Sequence, residues 1–312
     1  MVAQRGVALG LFSEDAGWSY RKLLDEIAQT GADTVELVVP WYLDDVHATS
    51  VHEHPRFTPP ASTIARAIRD AHAAGLAVLL FPILRLERQR SSDEWRGTLA
   101  PADRDRLMVS YGDKLVDIAR LAAREHAELL SVGSELSTLD GAPDHARWAA
   151  LVTRVRAVFS GRLLYSGNWD HYAQVALYDL VDFVGLCAYF KLHEPGAEAS
   201  DAAIRRRWQE LRGELLAFAK KQGRPLVLTE VGYLSQRGAT AWPWDEGASE
   251  PVDLEEQRRA YEAFVDVWKG DLGGDLGGVY FWNWYGWGGP ASGGYTPRGK
   301  PATEEMRRFF RR

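Results

Sequence analysis

Short apolar runs alternate with amphipathic segments along the whole chain. The apolar runs are nearly continuous, which is typical of parallel strands that are buried on both faces. The pattern predicts strands over residues 6–12, 34–40, 77–83, 128–135, 163–168, 182–189, 225–232 and 278–284. Helical spacing follows over residues 19–30, 60–74, 103–126, 144–159, 201–222, 253–269 and 303–310, with a short helix around 173–178. The chain is therefore a succession of eight strand–helix units.

Eight strand–helix units are compatible with two α/β architectures. Alternating strands and helices form right-handed βαβ crossovers and a parallel sheet. A doubly wound sheet usually carries a glycine-rich phosphate loop after its first strand, whereas residues 12–15 read Phe-Ser-Glu-Asp. Units of about 39 residues fit a (β/α)8 barrel instead. We expect a single α/β TIM barrel over residues 1–312, with no linker and no second domain.

The composition is that of a globular protein, with 46% hydrophobic and 26% charged residues. The formal net charge of −6 argues against a nucleic-acid partner, and the longest apolar run, residues 73–84, is too short to cross a membrane. Cys187 is the single cysteine, which excludes an intramolecular disulfide. No signal peptide precedes the first strand, so we expect a cytoplasmic protein or a secreted one whose signal has been removed. We further expect a monomer.

Polar and aromatic side chains stand where the predicted strands end. In an α/β barrel, this is the edge at which ligands bind and chemistry occurs. Glu135 ends the fourth strand and Glu230 lies near the end of the seventh. The other strand ends carry Trp41, Arg85, Asn168, Trp169, Tyr189, Trp282 and Trp284. Each glutamate could also serve as a helix-capping or ion-pairing group, but two carboxylates ringed by aromatic and amide groups indicate cleavage of a glycosidic bond.

A run of histidines follows the second strand. His47, His52 and His54 could ligate a metal only with further ligands from other strand ends, where Glu, Asn, Tyr and Trp stand instead. We interpret the run as a solvated loop. We expect no metal and no organic cofactor.

Several short motifs, in this order and at this spacing, resemble those of one enzyme family. They read Trp-Arg-Gly at 95–97, Val-Gly-Ser-Glu-Leu at 132–136, Tyr-Ser-Gly-Asn-Trp at 165–169, Val-Gly-Leu-Cys-Ala-Tyr-Phe at 184–190, Leu-Thr-Glu-Val-Gly-Tyr at 228–233 and Val-Tyr-Phe-Trp-Asn-Trp at 279–284. The chain resembles the clan A glycoside hydrolases, and most closely glycoside hydrolase family 113, which is known for β-1,4-mannanase activity. The resemblance extends from the second strand to the eighth.

The resemblance implies a role for each matching residue. Glu135 would be the acid/base and Glu230 the nucleophile, with Tyr189 beside the nucleophile and Trp282 forming the floor of the −1 sugar subsite. Trp95, Arg96 and Ser134 join the strand-end residues as candidate substrate contacts.

Two positions depart from the family pattern. Ser134 stands where clan A enzymes usually have Asn before the acid/base, so Ser134 or Asn168 must hold the sugar 2-hydroxyl. The third strand ends in residues 81–85, Phe-Pro-Ile-Leu-Arg, instead of a Lys-Pro-His-like sequence.

These inferences combine into a functional hypothesis. We expect a retaining glycoside hydrolase that cleaves β-linked glycans, with β-1,4-mannan or manno-oligosaccharides as the first substrate to test. In such an enzyme the acid/base starts protonated, so we expect the raised pKa to be that of Glu135. A barrel that binds a glycan without cleaving it is one alternative. A β-glycosidase or transglycosylase acting on another sugar is a second.

Overall fold

A computed structural model describes residues 3–196, 199–245, 247 and 250–311. Eight parallel strands close into one barrel in chain order, which confirms the predicted (β/α)8 fold. The strands are β1 (Gln4–Gly10), β2 (Thr34–Leu43), β3 (Ala77–Leu86), β4 (Leu129–Ser134), β5 (Arg162–Asn168), β6 (Phe183–Cys187), β7 (Leu226–Val231) and β8 (Leu276–Phe281). The α-helices of the described residues are α1 (Arg21–Gln29), α2 (Ala61–Ala73), α3 (Arg104–Arg124), α4 (His145–Arg156), α5 (Asp201–Gln222), α6 (Leu254–Trp268) and α7 (Ala302–Phe310).

The strands bury side chains on both of their faces. Val38 and Phe81 belong to a cluster that fills the barrel interior, whereas Leu37 and Leu80 pack outward in the core shared with the helices. This two-sided burial explains why the strands read as continuous apolar runs. Polar groups can therefore meet a ligand only where the strands end.

β2 and β3 continue three residues beyond their predicted ends. They stay paired as far as Leu43 and Leu86, because Tyr42 and Arg85 continue the ladder of backbone pairs. Trp41 and Arg85 therefore lie inside strands and not at the strand ends where the sequence placed them.

The connection between β5 and β6 also differs from the prediction. It contains the 3-10 turns Tyr172–Gln174 and Tyr178–Leu180 in place of a helix around 173–178. The buried Tyr178 hydroxyl donates to the Gly185 carbonyl over 3.3 Å, and this bond ties the short connection directly to β6. Across the part of the chain that the structure describes, no helix combines the length and the apolar character needed to cross a membrane.

Candidate active site

The two glutamates predicted from the strand ends meet at one edge of the barrel. Glu135 follows β4 directly and Glu230 is the penultimate residue of β7. A carboxylate oxygen of Glu135 lies within 4.8 Å of one from Glu230. Both residues are buried, with relative exposures of 4% and 2%. The strand-end argument therefore located a pair of adjacent carboxylates.

Glu135 has a left-handed backbone conformation, with φ of 55°. Non-glycine residues rarely adopt it, and it costs about 1–3 kcal/mol unless the surroundings enforce it. Here the Glu135 N–H donates to the Ser166 carbonyl over 2.8 Å, just beyond an irregularity in the β4–β5 ladder. The chain thus turns sharply after β4 and keeps the Glu135 side chain at the barrel mouth.

Tyr189 binds one oxygen of Glu230. Its hydroxyl donates to Glu230 Oε2 over 2.7 Å, with both side chains buried. Glu230 Oε1 is buried and has no hydrogen-bond partner among the described residues. One oxygen of this carboxylate is therefore held in place while the other keeps its lone pairs free.

Arg96 contributes a positive charge between the two carboxylates. Its guanidinium donates a hydrogen bond to Glu135 Oε2. It lies on the short turn Arg96–Thr98, where the Trp95 N–H donates to Thr98 Oγ1 over 3.1 Å. The Trp95 ring covers Gly97, at which a Cβ would come within 2.3 Å of a ring atom. Only glycine fits under this ring, so the turn that presents Arg96 depends on the Trp-Arg-Gly sequence.

A raised pKa is found for Glu230, while the expectation for Glu135 stays a prediction. Burial, followed by the negative charge of Glu135, raises the pKa of Glu230 to about 7. Arg96 and the Tyr189 hydroxyl act in the opposite direction and limit the rise. Near neutral pH the Glu230 carboxyl is therefore partly protonated in the free protein.

Small polar groups lie beneath the carboxylates. The Cys187 thiol contacts Ser166 Oγ at 3.2 Å and Ser134 Oγ at 3.7 Å, and Ser166 Oγ lies 2.5 Å from Thr229 Oγ1. Burial, followed by the negative charge of Glu135, raises the pKa of the Cys187 thiol well above its usual range, so the thiol is neutral. Ser134 therefore points into this buried network, and its hydroxyl already has a partner there.

Trp282 stands directly after β8 and belongs, like Tyr189, to the interior cluster. It keeps 8% of its surface exposed, and its peptide bond to Asn283 is cis. A Cβ on Gly232 would come within 2.8 Å of the Trp282 carbonyl oxygen, so glycine is needed for this close approach. The indole is thus held at the mouth of the barrel, on the side of Glu230.

Asn168 and Trp169 stand together at the end of β5. The Asn168 amide donates to Asp170 Oδ1 over 2.9 Å, and its oxygen accepts the Trp169 N–H over 2.9 Å. Trp169 stacks on Trp244, with ring centroids 4.7 Å apart. The amide of Asn168 is therefore occupied locally, while Trp169 joins an aromatic group from another loop.

The other candidate substrate contacts occupy different places. Trp41 is buried in the outer core and meets Tyr111 of α3 edge-on, at 5.9 Å. Trp284 is also in the outer core, where its indole N–H donates to Glu26 of α1 over 3.1 Å. Arg85 is exposed and lies 5.9 Å from the Phe12 ring centroid. The structure thus turns Trp41 and Trp284 toward helices and leaves Arg85 on the rim.

Among the residues that the structure describes, two groups of side chains have the donor atoms for a metal ion. Glu135, Cys187 and Glu230 form one, and Asp44, His52 and Glu87 the other, each with donor atoms within 4.8 Å of one another. In the first group, the Arg96 guanidinium already donates a hydrogen bond to Glu135. The histidines of the run do not form one group. His52 belongs to the second group, whereas His47 Nδ1 forms a hydrogen bond with the Ala100 carbonyl at 2.8 Å.

Comparison with known proteins identifies the family. The sequence profile described as Glycoside Hydrolase Family 113 matches residues 9–287, which is most of the chain. The chain belongs to glycoside hydrolase family 113. It is therefore a glycoside hydrolase whose substrate is a carbohydrate, as the sequence predicted. No curated protein sequence matches it.

Solved structures share the whole fold with this family 113 chain. A family 113 β-mannanase from Alicyclobacillus acidocaldarius, in complex with ManMIm, is 25% identical, with a TM-score of 0.87 over 99% of this chain and 97% of the other. A complex structure of a family 113 β-1,4-mannanase has the same TM-score at 19% identity and 99% coverage of both chains. A further β-1,4-mannanase structure gives 0.86, also at 19% identity with 99% coverage of both.

Sequence reasoning did not connect two groups of residues with the candidate site. Cys187 is packed in the interior cluster, and its sulfur also lies within 4.8 Å of both carboxylates. Trp242 and Trp244 were not considered, although Trp-Pro-Trp at 242–244 stands in the loop after β7, where ligand contacts are expected.

Proposed function

We propose that this family 113 chain is a retaining glycosidase that hydrolyses β-1,4-linked mannan or manno-oligosaccharides. The observation that carries the proposal is the pair of buried carboxylates with oxygens within 4.8 Å of each other. Retaining glycosidases hold their two carboxyl groups about 5–5.5 Å apart, and inverting ones about 6.5–9.5 Å apart to admit a water. The observed proximity supports retention.

In this proposal Glu230 is the nucleophile. Tyr189 fixes Oε2, which leaves Oε1 available to attack the anomeric carbon. Attack forms a bond from Oε1 to that carbon as the glycosidic bond breaks, and Glu135 donates its proton to the leaving oxygen. A water deprotonated by Glu135 then attacks the same carbon and releases the sugar with its original anomeric configuration.

The proton of the pair has to be on Glu135 for this first step. In the free enzyme, Arg96 pairs with Glu135, and burial with the charge of Glu135 raises the pKa of Glu230 to about 7. We infer that the productive form is the one in which Glu135 carries a proton and Glu230 is ionised. Arg96 then stabilises the Glu230 carboxylate electrostatically.

Mannan is proposed from the family and from the β-mannanase at 25% identity. One observation favours testing other sugars alongside it. Ser134 bonds Cys187, and the Asn168 amide bonds Asp170. Each therefore keeps only part of its hydrogen-bonding capacity for the sugar 2-hydroxyl, the group whose orientation distinguishes mannose from glucose. Aryl β-mannosides and β-glucosides should therefore be compared.

The first experiment follows hydrolysis by NMR. Wild-type enzyme with manno-oligosaccharides should release the β-anomer first, which then mutarotates. Initial release of the α-anomer would contradict retention. Turnover of a β-glucoside but not of any mannoside would contradict the proposal that mannan is the substrate.

A second experiment assigns the two glutamates. With an activated aryl glycoside and azide, Glu135→Ala should regain turnover and form the β-glycosyl azide, because a small anion needs no general base. Glu230→Ala lacks the nucleophile and should give the α-azide or no rescue. Glu210→Ala, an exposed position on α5, is the matched control and should retain activity. The opposite pattern of azides would reverse the two roles.

A further inference from the structure

An aromatic and cationic cluster assembles from three loops beside the proposed catalytic pair. Trp169 follows β5, Lys191 lies beyond β6, and Trp242 and Trp244 lie beyond β7. Trp242 meets Trp244 edge-on, with centroids 5.6 Å apart. Lys191 Nζ lies 4.4 Å from the Trp242 ring centroid and 5.6 Å from that of Trp244. We call Trp242, Trp244 and Lys191 the rim cluster.

The rim cluster is connected to the nucleophile by direct contacts. Tyr189, which binds Glu230, meets Tyr295 edge-on at 5.8 Å. The Tyr295 hydroxyl donates to the carbonyl of Pro243, between the two tryptophans, over 2.5 Å. Lys191 stands two residues after Tyr189, so their Cα atoms are at most about 7 Å apart. The cluster therefore borders the catalytic site.

Trp242 combines exposure with a fixed backbone. Its relative exposure is 42%, which is unusual for an indole that belongs to an ordered cluster. Its N–H donates to the Gly238 carbonyl over 3.3 Å, and its own carbonyl accepts the Asp245 N–H over 3.2 Å. Lys191 has no carboxylate partner among the described residues. An exposed aromatic plane with an ammonium donor above it suits the apolar face and the hydroxyls of a sugar ring.

We propose that the rim cluster is a distal subsite that binds a hexose of the substrate chain beyond the cleavage site. The sugar ring packs on the Trp242 face over which the Lys191 ammonium lies in the free protein. The flexible lysine side chain moves aside and donates hydrogen bonds to the sugar hydroxyl oxygens. Trp244, stacked on Trp169, fixes the geometry of the subsite. This inference rests on the proposed function, because it assumes that the substrate is a β-1,4-linked manno-oligosaccharide long enough to span both places.

The test compares chain lengths. kcat/KM is measured on mannotriose and mannohexaose, and Kd for both is measured by calorimetry in a Glu230→Gln background. Trp242→Ala should weaken mannohexaose binding about tenfold and reduce kcat/KM by a similar factor, with a clearly smaller loss on mannotriose. Lys191→Met should produce the same length dependence, because it retains the aliphatic stem and removes the donor. Val109→Ala is the control, since Val109 is 58% exposed but lies on α3, away from the loops at which the substrate enters.

The outcomes are distinguishable. A loss that grows with chain length in Trp242→Ala and Lys191→Met, but not in Val109→Ala, supports the subsite. Equal losses on both oligosaccharides would mean that the tryptophan only supports the fold of the site, and no loss on either would also overturn the inference. If the wild-type enzyme hydrolysed neither oligosaccharide, the proposed function would fail first, and the subsite for mannose units would fail with it.

Discussion

The hydrogen bond from Tyr189 affects both the orientation and the protonation of the Glu230 carboxylate. The Tyr189 hydroxyl lowers the pKa of Glu230, whereas burial and Glu135 raise it to about 7. If the active enzyme carries one proton on the pair, kcat/KM should fall as pH rises through about 7, when the last proton leaves. This decrease at high pH, the alkaline limb of the pH profile, reports the pKa of Glu230, which the hydrogen bond from Tyr189 lowers.

We therefore predict two effects of Tyr189→Phe. kcat/KM should fall about 10- to 100-fold, as expected for loss of a hydrogen bond to a charged group. The alkaline limb should move to higher pH, because the substitution removes an interaction that lowers the pKa of Glu230. Both are read from kcat/KM measured between pH 4 and 10.

Tyr261→Phe is the control for this measurement. Tyr261 is buried in the outer core, and its hydroxyl has no hydrogen-bond partner among the described residues. Its replacement should leave both the rate and the limb unchanged. An alkaline limb that stayed in place or moved to lower pH in Tyr189→Phe would contradict the assignment of the shared proton.

Sequence reasoning assigned Trp41 and Arg85 the same predicted role as substrate contacts, but the structure places the two side chains differently for a physical reason. Side chains alternate between the two faces of a strand. Trp41 lies on the same face of β2 as Leu37 and Val39, which point to the helices, whereas Arg85 lies on the face of β3 that carries Phe81 inside the barrel. This alternation could have separated Trp41 from Arg85. The hydrogen bond between Ser134 and Cys187 could not be predicted, because it depends on how β4 and β6 approach one another.

At the scale of the element, β2 carries an unusual side chain. Glu36 is fully buried, and neither carboxylate oxygen has a hydrogen-bond partner among the described residues. Burial, followed by the negative charge of Glu230, raises the pKa of Glu36 well above its ordinary value. The folded protein therefore retains a proton that the unfolded chain loses above about pH 4.5, so this group reduces stability as pH rises.

Glu36→Gln should remove this dependence. The free energy of unfolding of the variant, minus that of the wild type, should increase from pH 5 to pH 8, by at most about 1.4 kcal/mol per pH unit. Denaturant titrations at four pH values in this range measure the difference. A difference independent of pH would contradict a protonated Glu36 in the folded barrel.

Helix α5 has one glycine within it and one directly after it, and the two have opposite requirements. Gly223 follows the helix with φ of 67°, a left-handed conformation that costs other residues about 1–2 kcal/mol. Gly213 lies within the helix, and a Cβ there would meet no atom within 4 Å. We predict that Gly223→Ala lowers the free energy of unfolding by about 1 kcal/mol and that Gly213→Ala raises it by about 0.5–1 kcal/mol. Destabilisation by both variants would contradict this account of the helix end.

For the molecule as a whole, the apolar pattern predicted eight buried parallel strands, because two-sided burial imposes continuous apolar runs on them. The choice of a barrel over a doubly wound sheet also needed the sequence after the first strand and the length of the repeating unit. The connection after β5 was not predictable from periodicity, since the buried Tyr178 secures it with a tertiary hydrogen bond. The carboxylate pair was predictable because barrel strands end at one common edge. The raised pKa of Glu230 was not predictable, because it depends on burial and on the opposing charge of Arg96, which comes from a distant turn.

The positions of the exposed hydrophobic side chains bear on whether the protein is a monomer or an oligomer. The large exposed hydrophobic side chains of the described residues are Trp18, Val109, Trp242, Val252 and Trp287. All but Val109 stand in loops after β1, β7 and β8, at the end of the barrel where the substrate must enter. Val109 on α3 is the only one outside these loops. A stable dimer would therefore need either to cover the mouth or to rely on one exposed valine, and stable interfaces bury about 1,200–2,000 Å².

We accordingly propose that the barrel acts as one catalytic domain and as a monomer. Light scattering coupled to size exclusion should give a mass near 34.9 kDa, and kcat/KM should not change with enzyme concentration. Val109→Lys is the informative variant, because it should leave the mass unchanged if the protein is a monomer. A wild-type mass twice this value that Val109→Lys reduced would place an interface on α3. A doubled mass that mannohexaose reduced would place it at the mouth, in competition with the substrate.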